Sequence, residues 1–99
     1  MNGYSKEDYL FMAQRRVSAF REIARKLGKE HAITKMMGTL AWGRHKAETG
    51  PQPTLCSAVA MVAFLDGYFD ALNVWARDND SGAQRIMLEN YPTGYQSRP

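Results

Sequence analysis

Two carboxylates one helical turn apart are the first piece of chemistry in this chain. Asp66 and Asp70 interrupt "LCSAVAMVAFLDGYFDALNVWA", the stretch from Leu55 to Ala76, which is otherwise apolar or small. At that spacing both side chains leave a helix on one side, where paired acids can move a proton or hold a metal ion. No His or Glu stands beside them at helical spacing, so the Glu-x-x-His pattern of di-iron bundles is missing. The plainer reading is a polar stripe of Asp66, Asp70, Asn73 and Arg77 that meets water or the arginines of a neighbouring helix. Acids buried there would need Arg partners, because an uncompensated interior charge is very costly.

Other chemistry thins out under the same test. "DNDSGAQRIMLE" resembles a calcium loop only in Asp78, Asp80 and Glu89. Its Gly82 stands one place before the required glycine, and that place holds Ala83. His31 and His45 have no ligand-like companions nearby in sequence. Cys56, the single cysteine, excludes an internal disulfide and a cysteine-based zinc cluster, and reads as a small buried hydrophobe in a reducing compartment. Phosphate-binding glycine loops and recognisable nucleophile motifs are absent from the sequence. The expectation is a protein without catalysis, metal or cofactor, with a small helical enzyme built on Asp66 and Asp70 as the outside alternative.

Recognition chemistry is better represented. Opposite an apolar line of Ile33, Met36, Met37 and Leu40 lie His31, Lys35, Gly38, Trp42, His45 and Lys46. A large aromatic among bases suits a protein interface or nucleic acid. Lys35, Trp42, His45 and Lys46, joined by Arg15, Arg21 and Arg25, form the candidate partner-binding surface. Ile23, Ala24, Leu27 and Gly28, followed by "HAITKMMG", resemble part of a helix-turn-helix DNA-binding motif, which would make Lys35 a phosphate or base contact. The match is partial: Thr34 stands where an apolar residue is expected.

These residues need helices to place them. "SKEDYLFMAQRRVSAFREIARKLG" opens on Ser5 with Asp8 three residues later, a short capping box, and closes at Gly28. Leu10, Ala13, Val17, Phe20, Ala24 and Leu27 recur every three or four residues as one apolar seam. A second helix is expected over 30–46, until Gly50, Pro51 and Pro53 break the chain. Thr54 caps a third over 55–78, and Ser81 with Gln84 suggests a capping box for a short fourth over 82–90. Residues 91–99 read as an extended tail. The fold class is all-α: one domain over 1–99, a compact bundle of three long helices plus a short fourth helix and that tail.

The third helix has the length of a membrane span, about 33 Å against a hydrocarbon core of about 30 Å. Its two aspartates cost roughly 5–7 kcal/mol, more than the roughly 3–4 kcal/mol that its Leu, Val and Phe residues return. It is therefore expected to be the central core helix, apolar all round in its first half. Cys56, Ala60, Ala63, Gly67 and Ala71 line one side, on which the first helix, or a second copy in a homodimer, could pack closely.

Charge is uneven. Residues 1–50 hold ten Lys or Arg against five acids, and residues 51–99 hold three against five, which leaves +3 overall. That asymmetry suits either an acidic partner or attraction between the halves. A signal peptide is not expected from "MNGYSKEDYLF". Together these features point to a small cytoplasmic interaction or inhibitor protein that docks a basic, aromatic helical surface on a larger acidic protein or ribonucleoprotein. By analogy of size and composition, phage and mobile-element accessory proteins are of this kind. Nucleic-acid binding through the helix-turn-helix-like unit is the competing expectation.

Overall fold

The computed structural model describes residues 3–38 and 53–92. The protein is all-α, with four helices and no strand among the described residues. Helix α1 spans Lys6–Leu27. Ser5 Oγ accepts from the Asp8 amide at 3.1 Å and Asp8 accepts from the Ser5 amide at 3.0 Å, so the box read from the sequence forms. Gly28 ends the helix at φ 92°, a left-handed value that a side chain would strain. Helix α2 is short, Ala32–Met36. The rest of the second helix expected over 30–46, with Leu40, lies outside the described residues, as do residues 93–99 of the tail.

Helix α3 spans Leu55–Asn79 and α4 spans Ser81–Asn90. Thr54 caps α3 in a reciprocal box with Ser57. A single residue, Asp80, separates the two helices. Its amide donates to Ala76 O at 2.7 Å, closing α3, while its carboxylate accepts from the Ala83 amide at 3.1 Å, opening α4. The expected Ser81–Gln84 box is thereby corrected: the cap is Asp80, a stronger acceptor one residue earlier, and Ser81 is already helical.

Helices α1 and α3 run parallel. Arg16 meets Asp66, Phe20 packs near Phe69 with ring centroids 6.4 Å apart, and His31 meets Asp80, so the two sequences advance together. Helix α4 returns antiparallel, bringing Asn90 to Lys26 at 3.2 Å and Tyr91 to Phe20 at 5.3 Å. Between the helices sits one apolar core built from Phe20, Ile23, Ile33, Met61, Leu65, Phe69, Leu72, Met87 and their neighbours. Each fully buried large apolar side chain in it contributes about 1.5–3 kcal/mol. Tyr91 stacks on Phe69 at 3.9 Å and 8°, which ties the end of α4 into the same core.

By length and composition α3 could cross a membrane. In this fold Ala58, Met61, Leu65, Phe69, Leu72 and Ala76 face the bundle. The opposite side is open, which corrects the expectation of a helix buried all round. Leu55, Val59 and Val74 are 48%, 39% and 47% exposed. The small residues Cys56, Ala60, Ala63, Gly67 and Ala71 are exposed with them, so α1 does not pack on that side and Cys56 is not a core residue.

Candidate functional site

Asp66 is spent on architecture. Its Oδ1 accepts from Arg16 Nε at 2.7 Å and from the Tyr91 hydroxyl at 2.7 Å. Arg16 is 1% exposed, and its Nη1 also donates to Met12 O at 3.1 Å. The guanidinium carbon lies 5.9 Å from the Tyr91 ring centroid. One carboxylate thus joins α1, α3 and the end of α4. Burial pushes the Tyr91 hydroxyl far above its ordinary range, and the hydrogen bond to Asp66 raises it further. Such a phenol stays a donor at any physiological pH. Asp70, one turn on, is exposed and makes no hydrogen bond or ion pair among the described residues. The polar stripe divides at this point: Arg77 turns to Asp78 at 3.1 Å, and Asn73 is half-buried.

The reading from sequence overlooked Arg16, whose position was nonetheless marked. Met12, Arg16, Ala19 and Ile23 follow each other at spacings of four, three and four on the buried side of α1. A cation on an apolar line needs an acid from another element, and Asp66 is the acid supplied.

His31 has a defined job as well. Its Nδ1 accepts from the Ile33 amide at 3.1 Å, capping α2, and its Nε2 lies 2.9 Å from Asp80 Oδ2. That hydrogen bond, helped by the Ala83 amide, holds the Asp80 carboxyl below its usual range. The pair clasps the α1–α2 turn to the α3–α4 corner. Among the described residues no group of three or more His, Cys, Asp or Glu could hold a metal ion.

Of the residues nominated from sequence, the described ones are Lys35, Arg15, Arg21 and Arg25, and those on α1 stand on two flanks of the helix. Trp42, His45 and Lys46 lie outside the described residues. Lys35 is exposed and pairs with Glu30 at 3.2 Å. Arg25 is exposed and grips Glu22 bidentately, which lowers the Glu22 carboxyl and raises the guanidinium. Arg21 is exposed on the same flank of α1, about 40° from Arg25 around the helix. Arg15 is exposed about 120° from Arg21, on the flank facing α4.

Arg15 stands on the surface one helical turn from the exposed Phe11. An open groove of about 670 Å³ runs between α1 and the end of α4, lined by Phe11, Gln14, Arg15, Ser18, Ala19 and Glu22 on one side and by Asn90 and Pro92 on the other. Phe11 is 44% exposed at its rim. Arg15, Gln14 and Ser18 make no hydrogen bond or ion pair among the described residues. Glu22 is occupied by Arg25 and by Lys26 at 3.8 Å, so it does not compete for Arg15. The Asn90 wall is held from both ends of its amide, by Lys26 and by Ile86 O. Nothing in the sequence periodicity marked Phe11, because its place in the groove depends on where α4 ends.

The class defined by this architecture is a small all-α protein with an ion pair joining its helices and an open groove beside α1. No family model matches the sequence, and neither a curated protein nor a solved structure matches the chain.

Proposed function

We propose that this chain is a non-catalytic cytoplasmic docking protein that binds a larger acidic protein or ribonucleoprotein through the outward face of α1. The observation that carries this reading is the uncommitted Arg15 beside the exposed Phe11 on a groove of about 670 Å³. That volume lies within the range that binding clefts occupy, and Arg is among the residue types enriched at interface hot spots. The commitment of Asp66 to Arg16 and Tyr91 supports a structural role for the acid that a catalytic reading would need free.

The test is affinity capture from lysate of the native host with the wild-type chain and with a Phe11→Ala, Arg15→Glu double variant. Both side chains are exposed, so melting should stay within about 0.5 kcal/mol of wild type. The co-purifying acidic partner should be lost from the double variant. Equal capture by both would overturn the assignment. So would duplex binding that weakens steeply with salt and co-purification of nucleic acid alone, which would return the chain to the DNA-binding class.

A further inference from the structure

We infer that the α1–α4 groove takes an extended acidic peptide segment of about five residues, with a carboxylate seated on Arg15 and an aromatic or branched apolar side chain against Phe11. The inference rests on the docking reading above and names the kind of partner surface that the groove fits.

Charge argues for an acidic occupant. Arg15 lines the groove, Arg25 and Lys26 stand beside it, and among the described residues Glu22 is the only carboxylate lining it. Arg25 and Lys26 both pair with Glu22, so the three cations outweigh the one acid, and Arg15 is the cation of this group that is in no ion pair among the described residues. A guanidinium binds a carboxylate through two parallel N–H donors, which fixes orientation as well as sign. A nucleic-acid strand is disfavoured because, among the described residues, Arg15 is the one lining cation, too few for a run of phosphates.

Shape argues for an extended chain. Phe11 and Glu22 are eleven residues apart on α1, or about 16 Å along its axis. An extended peptide covers that length in about five residues. The floor is Ala19, 7% exposed, whose small side chain lets a backbone lie close. Gln14 and Ser18 border it with unspent donors and acceptors for peptide groups. Opposite, Asn90 is fixed by its two bonds and Pro92 offers no N–H. The groove therefore reads side chains at its Phe11 and Arg15 end and backbone along the stretch toward Glu22.

The experiment is selection of a random pentapeptide display library on the intact chain, followed by titration of the enriched peptide. An acidic residue with an aromatic or branched apolar neighbour should be enriched. Arg15→Gln should weaken the selected peptide about tenfold or more, as should exchange of its acid for the amide, and the two changes together should cost little more than either alone. Absence of enrichment over the Phe11→Ala, Arg15→Glu control would overturn the inference, as would enrichment of basic peptides. A chain lacking residues 93–99 that binds the library when the chain with them does not would overturn it too, by making that segment the occupant. If the library yields nothing while capture of the host partner still depends on Arg15, the peptide inference fails alone and the docking reading stands.

Discussion

Replacing Asp66 with Ala should be among the most damaging single changes on the partly exposed surface of this protein. The Arg16 side chain is 2% exposed and its Nε lies 2.7 Å from Asp66 Oδ1, while the Asp66 side chain is 40% exposed. Removing one partner of a fully buried pair costs about 3–5 kcal/mol, and partial exposure of the acid lets water recover some of it, which leaves about 2–3 kcal/mol. The Tyr91 hydroxyl loses its acceptor as well, worth about 1 kcal/mol. The sum, about 3–4 kcal/mol, corresponds to a Tm drop of roughly 12–30 °C in a domain this small. Urea unfolding followed by far-UV circular dichroism measures it. The companion variant Arg16→Met, Asp66→Leu removes both charges and should recover most of the loss, since apolar groups of similar size replace a buried pair at little cost. Tyr91→Phe should lose only about 1 kcal/mol, because the stack on Phe69 survives. An Asp66→Ala variant within about 0.5 kcal/mol of wild type would refute the reasoning, as would a double variant no more stable than the single.

Two further outcomes follow from the same geometry. The Asp80 carboxyl is held below its ordinary value by His31 and the Ala83 amide, so its contribution is fully present above the unfolded value of about 3.9 and is lost as pH falls through the lower folded value. Asp80→Asn keeps a capping oxygen but removes that titration, and the fall in urea midpoint between about pH 5 and about pH 2 should be shallower than in wild type; identical profiles would contradict the assignment. Gly67 has open space around the position a Cβ would take and sits mid-helix on the outward side of α3. Gly67→Ala should therefore stabilise by about 0.8–1 kcal/mol, whereas a helix packed on that side would make the same change costly.

What was legible in the sequence was local. Ser5 with Asp8, Gly28 and Thr54 mark helix ends by chemistry acting within three or four residues, and those ends stand where they were expected. The α4 cap misled because Ser81 and Gln84 satisfy the spacing rule, while Asp80 is favoured by His31, which is 49 residues away. Arg16 was hidden between the exposed Arg15 and Val17, although its register with Met12 and Ile23 placed it on the buried side. Apolar composition around the first half of α3 could not reveal which side the bundle covers: Ala58 and Met61 are buried, and Val59 and Ala60 between them are exposed. The candidate groove was half legible. Arg15 could be picked by charge, but the aromatic beside it is Phe11, and its setting in the groove required knowing that Asn90 and Pro92 come to rest against α1.

Photo-cross-linking in host lysate, from a benzophenone side chain placed at Ser18 in the groove or at Gly67 on the opposite exposure of α3, tests the docking assignment most directly. A discrete cross-linked acidic partner is expected from Ser18, lost in the Phe11→Ala, Arg15→Glu background, and none from Gly67. A partner captured from Gly67 and not from Ser18 would contradict it and move the docking surface to the outward face of α3.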